Sequence, residues 1–292
     1  MFIVNIVGGL GNQMFQYAVG RVLSEKHGVD LYLDTRAFNK SNIHNGFELM
    51  RIFNISALVA SDTDIINVIG WRATKIGQRL IRIKKLNSLD GDCYFREREI
   101  SFNKDIFSIS SNCYISGYWQ SELYFNRYEK LIRNDFKFSL SLTDENDELS
   151  RKITSCNAIS LHIRRGDYVS NKHTSSVHGI CSPSYYKKAV AYINEKLDDS
   201  VYFIFSDDVE WVKDNFSINN ECHFVENNDG KDSYVDMHLM SLCSHHIIAN
   251  SSFSWWGAWL NPSKTKIVIA PNIWFANGSN SNDHVPKSWV RL

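Results

Sequence analysis

The sequence has no excess of charge of either sign, no long apolar run and no paired cysteines. Thirty-two acidic residues balance thirty-two basic ones, so no overall field draws the chain to nucleic acid, and an anionic ligand must be held by a local cluster. No stretch of about 18 apolar residues occurs, which argues against a membrane span. The six cysteines are scattered without a C-x-x-C pair, a pattern unlike that of a disulfide scaffold or a zinc site.

An export signal is also missing from the amino terminus. The segment Met1–Val7 runs directly into glycines, without a basic stretch followed by an apolar stretch and a cleavage site. Scattered cysteines fit reduced thiols in the cytosol. We therefore expect a cytoplasmic protein.

Length and periodicity predict an α/β protein of two domains. The 292 residues exceed the usual domain length of about 100–200 residues. In the first half, strands at 2–7 and 31–33 flank a helix over about 12–26, whose apolar residues recur at helical spacing. A strand at 113–118 and a polar helix at 143–155 follow. We place the domain boundary near residue 150, which gives domains 1–150 and 151–292, and assign no elements to 35–112.

The second half alternates strands and helices regularly. The predicted strands are 158–163, 201–205, 223–225, 246–249 and 267–270, and the predicted helices are 185–197, 209–216, 233–243 and 254–260. Such alternation indicates parallel βαβ units with helices on both faces of the sheet. Ligands of such folds bind at the carboxyl ends of the strands.

The segment His162–Asp167 falls at the carboxyl end of one of these strands and contains two adjacent arginines, Arg164 and Arg165. Burying both is costly unless an anion meets them. A diphosphate suits them, because each guanidinium can give paired hydrogen bonds to phosphate oxygens. The alternative interpretation is a structural pair of arginine and aspartate at a strand end.

Two further polar segments follow strands. The carboxylates of Phe205–Asp208 can accept hydrogen bonds from guanine N–H groups or a ribose hydroxyl, although Ser206 or Asp207 could equally cap the next helix. The segment Asn250–Trp256 enters a helix, where backbone N–H groups and serine hydroxyls make an anion site. Its tryptophans are interpreted mainly as core residues.

The glycine-rich turn Gly8–Gln13 leaves a second kind of function open. Gly9 and Gly11 match the first two glycines of a dinucleotide-binding fingerprint, and Asp34 lies at the right distance to hold a ribose. Met14 occupies the third glycine position, where close packing of helix on strand needs no side chain. An NAD(P)-dependent oxidoreductase is therefore an alternative to a diphosphate-binding enzyme.

A basic amphipathic helix is predicted in the middle of the chain. Four basic residues recur at helical spacing beside an apolar stripe. The basic residues are Arg72, Lys75, Arg79 and Arg82, and the stripe is Ile69, Ile76, Leu80 and Ile83. Such a helix suits an anionic membrane surface or a pyrophosphate-linked lipid. A solvated face of an ordinary packed helix is the alternative.

Five sequence blocks, in order, resemble the bacterial α-1,2-fucosyltransferases of glycosyltransferase family 11, a family that includes the animal blood-group H enzymes. The blocks are Gly8–Tyr17, Gly117–Glu122, His162–Val169, Phe205–Asp208 and Ile248–Leu260. They span nearly the whole chain. Residues 35–112 contain no recognised motif, so the choice of acceptor is left open.

The resemblance implies a GT-B fold, in which two Rossmann-like domains face a central cleft. It further implies that 151–292 binds GDP-fucose, that 1–150 lies on the acceptor side, and that the enzyme inverts the sugar linkage without a metal or other cofactor. Two D-x-D triplets, Asp62–Asp64 and Asp90–Asp92, resemble the metal motif of another class of glycosyltransferase. Neither follows a clear strand, and both are typical of helix caps or turns.

Residue roles also follow from the resemblance. Arg164 and Arg165 would contact the diphosphate, and His162 with one of Asp207 or Asp208 the guanosine. The remaining donor-binding residues implied are Ser251, Ser252, Phe253 and, from the N-terminal domain, Asn12. Asp167 is the candidate general base, although it could instead orient the arginines. Asp34 and His178 are alternative bases.

The expected reaction is transfer of L-fucose from GDP-β-L-fucose to the 2-hydroxyl of a terminal β-galactose, in O-antigen or other surface-glycan synthesis. The acceptor glycan could be lipid-linked, with the enzyme peripheral on the inner face of the membrane. Fixed arginines and helix-end N–H groups would stabilise the departing GDP in place of a metal. A non-catalytic nucleotide-sugar-binding protein is a further alternative.

Overall fold

A computed structural model describes residues 1–40, 45–81, 93–170 and 172–292 of the chain. The chain divides into two units, Met1–Ser139 and Leu140–Leu292. Each unit contains one parallel β-sheet flanked by helices. The α/β class expected from the sequence is therefore confirmed. The boundary expected at residue 150 falls inside a helix of the second unit, Asp144–Ser155.

The first unit contains a five-stranded sheet in the order β3-β2-β1-β5-β4. Its strands are β1 (Phe2–Asn5), β2 (Leu31–Asp34), β3 (Leu58–Val59), β4 (Tyr94–Arg96) and β5 (Cys113–Ser116). Its α-helices are α1 (Leu10–His27), α2 (Leu49–Ile52), α3 (Asp62–Ile69), α4 (Lys75–Ile81) and α5 (Glu129–Asp135). Short 3-10 helices lie at Arg36–Lys40, Gly70–Ala73, Lys104–Ser108, Glu122–Tyr124 and Asn126–Tyr128.

Helix α1 packs unusually close to β1. A Cβ atom at Gly20 would lie 2.4 Å from a methyl group of Val4 and 2.8 Å from one of Leu31, so only glycine permits this approach. The helix ends at Gly28, whose φ of 63° is the left-handed conformation that glycine adopts at low cost. The close contact holds the middle of α1 against β1 and β2.

The second unit contains a six-stranded sheet in the order β11-β10-β9-β6-β7-β8. Its strands are β6 (Asn157–Ile163), β7 (Ser200–Ser206), β8 (Cys222–Val225), β9 (His245–Ile247), β10 (Val268–Ala270) and β11 (Val290–Arg291). Its α-helices are α6 (Asp144–Ser155), α7 (Gly166–Ser170), α8 (Lys172–His178), α9 (Pro183–Lys196), α10 (Val209–Asn215), α11 (Tyr234–Leu242) and α12 (Ser252–Leu260). A 3-10 helix lies at Gly230–Asp232.

The central strands of this sheet are buried on both faces, as parallel strands covered by helices must be. β6 is buried from Ala158 to Ile163, and its side chains pack with those of β7 and α9 in one apolar core. Helix α9 begins with Pro183 and is capped by Ser182, whose hydroxyl accepts a hydrogen bond from the N–H of Tyr185. The predicted strands and helices of the second half are confirmed, with ends shifted by one or two residues.

The basic amphipathic helix predicted around residues 69–83 is wrong as a continuous element. Helix α3 ends at Gly70, whose φ is 55°, and Arg72 lies in a 3-10 turn before α4 begins. The apolar stripe is also split, because Ile69 is buried whereas Ile76 is 72% exposed. Arg82, Ile83 and the side chain of Lys75 lie outside the described residues. Among the described helices, none has the length and apolar character that a membrane crossing needs.

Candidate functional site

The order of the strands in the second sheet creates a switch point between β6 and β9. The chain builds outward from β6 to β7 and β8, and then returns to place β9 on the other side of β6. All these strands are parallel, so their carboxyl ends share one edge. The segments that follow β6, β7 and β9 contain Arg164, Asp207 and Asn250. Open α/β sheets bind their ligands at such a crevice.

Arg164 and Arg165 each form an ion pair with an aspartate that follows the neighbouring strand. We call Arg164, Arg165, Asp207 and Asp208 the paired-arginine site. Arg164 Nη1 lies 2.9 Å from Asp207 Oδ2, and Arg165 Nε lies 3.0 Å from Asp208 Oδ2. The side chains of the arginines are 27% and 15% exposed. The structural pairing that the sequence left as an alternative is therefore present, and it fixes both guanidinium groups at the sheet edge.

Contacts with the backbone and with an aromatic ring hold the paired-arginine site further. The backbone N–H of Arg165 donates to Asp207 Oδ1 at 2.8 Å, so both oxygens of this carboxylate are occupied. The guanidinium of Arg165 lies 3.4 Å from the ring centroid of Trp211. A Cβ atom at Gly166 would lie 2.4 Å from Asp207 Oδ2. Among the described residues, the Arg165 side chain uses one of its five N–H groups on Asp208, and the others can donate to an anion.

His162 is buried beside this site and is uncharged at neutral pH. Burial, and secondarily the charge of Arg164, lower the pKa of His162 to about 3. Its Nδ1 atom has no hydrogen-bond partner among the described residues, although the side chain is only 5% exposed. Buried polar atoms are rarely unpaired, so this nitrogen is suited to a ligand contact. The ring of Phe253 lies 6.1 Å away, centroid to centroid.

Ser251 and Ser252 begin helix α12. The Ser251 hydroxyl accepts a hydrogen bond of 3.3 Å from the N–H of Phe253 and thereby caps the helix. The first turn carries no acidic side chain that would repel an anion. Three tryptophans of α12 are at most 4% exposed, which confirms their interpretation as core residues. They are Trp255, Trp256 and Trp259.

Asn250 organises the loops around the switch point, a role that the sequence analysis missed. Its Nδ2 group donates to the carbonyl oxygens of His178, at 2.8 Å, and Trp274, at 3.1 Å. Its own carbonyl oxygen accepts a 3.1 Å hydrogen bond from Tyr168 Oη. An asparagine directly after a buried strand was the available signal, because such side chains commonly bond to backbone groups.

Two candidate bases differ in how far the structure describes them. The backbone of Asp167 lies in α7, and its side chain lies outside the described residues. His178 stacks on Tyr168, with ring centroids 5.0 Å apart and an interplanar angle of 14°. Neither the backbone position of Asp167 nor the stacking of His178 identifies the general base.

Asn12 lies in the first unit, at the start of α1. Its Oδ1 accepts a 2.6 Å hydrogen bond from Gln120 Nε2. Gly8 precedes it with a φ of 82°, and a Cβ atom at Gly8 would lie 2.8 Å from Asn12 Nδ2. The glycines of this turn thus allow the backbone to pass close to Asn12, as a ligand-binding turn requires.

Glu97 braces the loop that carries Gln120, and no sequence motif indicated it. Its two carboxylate oxygens accept the backbone N–H groups of Tyr118, at 2.6 Å, and Trp119, at 3.1 Å. Trp119 has a φ of 56°, a conformation that a bulky residue adopts only when its surroundings enforce it. Burial raises the pKa of Glu97 to about 7, against the lowering effect of these two hydrogen bonds.

Asp34, the alternative base and candidate ribose ligand, is held by neighbouring side chains. Arg36 holds it with two parallel hydrogen bonds of 2.9 Å, and Tyr114 Oη donates to it at 2.7 Å. Its side chain is 4% exposed. Both oxygens are therefore committed to structural partners.

The first D-x-D triplet is a helix cap. Asp64 Oδ2 accepts the backbone N–H of Ser61, and the Ser61 hydroxyl accepts the N–H of Asp64, which is a capping box at the start of α3. Asp62 pairs with Arg36. Asp90–Asp92 lies outside the described residues. Within the described ranges, no group of three or more histidine, cysteine or acidic side chains is arranged to hold a metal ion.

Comparisons with known proteins find relatives over nearly the whole chain. The model of a family described as glycosyl transferase family 11 matches residues 1–292. The chain is 37% identical to an α-1,2-colitosyltransferase of Escherichia coli, covering 99% of this chain and 98% of that protein. It is 33% identical to the O-antigen biosynthesis glycosyltransferase WbnK of Escherichia coli, covering 98% of each.

Among solved structures, the chain resembles the fucosyltransferase NodZ from Bradyrhizobium, with a TM-score of 0.56 over 89% of this chain and 92% of that one. The two sequences are 14% identical, so this likeness concerns the fold alone.

Proposed function

Because the chain belongs to glycosyltransferase family 11, we propose that it transfers L-fucose from GDP-β-L-fucose to the 2-hydroxyl of a terminal β-galactose, with inversion at the transferred carbon. Membership of the family makes the chain a glycosyltransferase. The observation that supports a nucleoside diphosphate donor is the paired-arginine site at the switch point of the second sheet. The relative named for O-antigen biosynthesis supports a role in O-antigen or other surface-glycan synthesis.

In the proposed reaction, the two units would face a GT-B cleft, with the second unit on the donor side and the first on the acceptor side. Breaking the bond between fucose and phosphate builds positive charge on the sugar and negative charge on the departing GDP. Arg164 and Arg165 would stabilise that negative charge, together with the N–H groups at Ser251 and Ser252. Preorganised donors of this kind lower the barrier because they need no reorientation during the reaction.

The remaining site residues would bind the guanosine and activate the acceptor. His162 suits a hydrogen bond to the nucleoside, because it is neutral and its Nδ1 is unpartnered among the described residues. Asp208 suits it better than Asp207, since both oxygens of Asp207 are already occupied. Phe253 lies beside His162, and Asn12 would approach the donor from the first unit. Asp167 stays the proposed general base.

Colitose is a second candidate for the transferred sugar, favoured by the relative that is 37% identical and named a colitosyltransferase. Colitose differs from fucose by lacking the 3-hydroxyl, so the same diphosphate site would serve a GDP-linked form of either sugar. A pocket that hydrogen-bonds the 3-hydroxyl would reject colitose strongly, whereas an apolar pocket would discriminate weakly.

The proposal is tested by incubating the enzyme with lactose and either GDP-fucose or GDP-colitose. We expect release of GDP with GDP-fucose, and an α-1,2 linkage by NMR of the product. A preference of more than tenfold in kcat/KM for GDP-colitose would replace the donor assignment. GDP binding without GDP release on any galactoside would favour the non-catalytic alternative. No finding supports the oxidoreductase alternative, and NADH binding without GDP binding would be needed to restore it.

We also propose a cytoplasmic enzyme with a peripheral membrane contact through Arg72, Lys75, Arg79 and Arg82, acting on a lipid-linked acceptor. Exposed Trp71 and Ile76, at 46% and 72%, support such a contact because aromatic and aliphatic side chains insert at membrane interfaces. Charge reversal at Arg72, Lys75 and Arg79 should abolish binding to anionic liposomes and spare activity on lactose. Unchanged liposome binding would remove the membrane contact from the proposal.

A further inference from the structure

The first unit contains a cavity of about 810 Å³ that none of the five sequence blocks accounts for. We call it the N-terminal cavity. Residues at the carboxyl end of each of the five strands line it, including Asn5 of β1, Asp34 of β2 and Ser116 of β5. Its volume falls within the range of about 300–1,000 Å³ that is usual for small-molecule sites.

The cavity lies where the topology of the first sheet favours a ligand. The chain builds outward from β1 to β2 and β3, and the remaining strands, β5 and β4, lie on the other side of β1. The switch point is therefore between β1 and β5, and the cavity extends along the carboxyl edge on both sides of it. Crevices at this position are the usual binding sites of open parallel sheets.

Arg36 is held rigidly in the wall of the N-terminal cavity. Two of its nitrogens donate to Asp34, and Nη1 donates to Asp62 at 2.9 Å. These bonds use three of the five N–H groups of the guanidinium, and within the described residues the other two are open to a ligand. A donor whose orientation is already fixed loses little conformational entropy when it binds a hydroxyl group.

The charges of the cavity balance. Its charged lining residues among those described are Asp34, Arg36, Asp62 and Arg96. Around Arg36 the local sum is negative, because two carboxylates contact one guanidinium. An anionic ligand would therefore meet no excess of positive charge, whereas a neutral polyhydroxyl ligand would meet donors and acceptors at no electrostatic cost.

Two aromatic rings complete the wall. Tyr94 and Tyr114 both line the cavity and stack with ring centroids 5.5 Å apart and an interplanar angle of 8°. Apolar ring surface combined with a few fixed polar groups is the usual composition of a small-molecule site. A pyranose has apolar C–H faces and a polar rim, which match this composition.

We propose that the N-terminal cavity binds a neutral sugar residue of the acceptor glycan, and that Arg36 donates to its hydroxyl groups. This inference rests on the proposed glycosyl transfer for the identity of the ligand. It assigns the acceptor site to residues of the segment 35–112, where the sequence offered no motif. It also predicts selectivity, because acidic sugars such as uronic acids gain nothing from a balanced charge.

The test fills the cavity without breaking the bonds of Asp34 or Arg36. Ala37 and Asn39 line the cavity and are exposed, so Ala37→Trp and Asn39→Trp add bulk at its mouth. Lys104→Trp is the matched control, since Lys104 is an exposed position on another 3-10 helix of the same unit. All variants are first checked for an unchanged Tm.

Two readouts separate this inference from the proposed function. Binding of methyl β-galactoside to the full chain with GDP present is followed by saturation-transfer NMR, which does not need turnover. The KM values for lactose and GDP-fucose are measured in parallel. We expect both cavity variants to lose the NMR signal and to raise the KM for lactose at least tenfold, with the KM for GDP-fucose unchanged. Lys104→Trp should match the wild type.

The outcomes differ in what they overturn. Wild-type transfer with unchanged lactose KM in Ala37→Trp and Asn39→Trp would overturn the cavity assignment and leave the proposed function intact. Loss of glycoside binding in these variants, with no wild-type transfer, would support the cavity and overturn the function. Absence of any NMR signal in the wild type would overturn the cavity assignment. Binding of methyl β-galacturonide as strong as that of methyl β-galactoside would overturn the inference that the cavity prefers a neutral sugar.

Discussion

The two sheet edges share a topology and differ in how their arginines pair with aspartates. In both units the chain reverses the direction of strand addition, and the polar residues follow the carboxyl ends of the strands around that point. In the second unit, two arginines each pair with one aspartate. In the first unit, one arginine pairs with two aspartates.

This difference indicates what each edge can bind. The paired-arginine site has balanced charges, and the start of helix α12 adds partial positive charge at the same sheet edge. That combination suits a diphosphate. The surroundings of Arg36 have a negative sum and suit a neutral ligand. Under the two proposals, the same topology serves two kinds of ligand, and two features distinguish the edges: the helix start beside the paired arginines, and the two carboxylates on the single guanidinium of Arg36.

The largest expected effect is at the paired-arginine site. Arg164→Ala should lower turnover by about 10²-fold or more, because it removes a charge that stabilises the departing diphosphate. Calorimetry with GDP and a GDP-release assay measure the loss. Arg151→Ala is the control, since Arg151 is 70% exposed in an i,i+4 pair with Asp147 on α6. Wild-type GDP affinity in a folded Arg164→Ala protein would contradict the assignment.

Arg36→Ala, at the edge of the first sheet, should lower the stability of the protein and leave nucleotide binding unchanged, in contrast to Arg164→Ala. It leaves the buried Asp34 carboxylate with Tyr114 as its remaining side-chain partner, which should cost about 2 kcal/mol of the free energy of unfolding. Urea denaturation measures this change. GDP affinity of the folded fraction should equal that of the wild type. A tenfold loss of GDP affinity without destabilisation would break the comparison.

A smaller effect, which depends on pH, is expected at Glu97. Unlike the aspartates of the two sheet edges, this carboxylate has no ion pair among the described residues. Its pKa is about 7 in the folded protein against an ordinary 4.5, so the folded state holds the proton more tightly. Protonated Glu97 therefore contributes to the free energy of unfolding in full below about pH 4.5, and this contribution is lost as the pH rises through 7.

Glu97→Gln should therefore reduce the fall in Tm between about pH 5 and 8. Asp236, whose pKa burial also raises to about 7, gives the comparison variant Asp236→Asn in the second unit. Thermal melts at both pH values measure the effect. An identical fall in Tm in the wild type and Glu97→Gln would exclude a contribution from this residue.

The smallest expected effect is that of metal removal. If arginines and helix-end N–H groups stabilise the leaving GDP, activity should be unchanged by EDTA to within about twofold. A GDP-release assay with EDTA, and with Mn²⁺ added back, tests this. A strict requirement for Mn²⁺ would assign the charge stabilisation to a cation and weaken the contrast between the two edges.

Much of the architecture could be predicted from the sequence, because local periodicity carries it. Alternating apolar runs and helical patterns predicted the strands and helices of the second half, and parallel strands bring their carboxyl ends to one edge by necessity. His162, Arg164, Asp207 and Ser251 could thus be assigned to one edge from the sequence alone. The region around 35–112 could not be predicted, since its strands are two or three residues long and its helices are interrupted.

The sequence by itself determined the α/β class, the family and the residues that gather at the second sheet edge. Only the tertiary structure decided how those residues pair. Arg165 and Asp208 are 43 positions apart, Asp34 and Tyr114 are 80 apart, and Asn250 reaches back 72 residues to His178. Partners so distant in the chain are set by strand order and helix packing, which no local pattern encodes. The charge around Arg36, and with it the character of the N-terminal cavity, is a property of that packing.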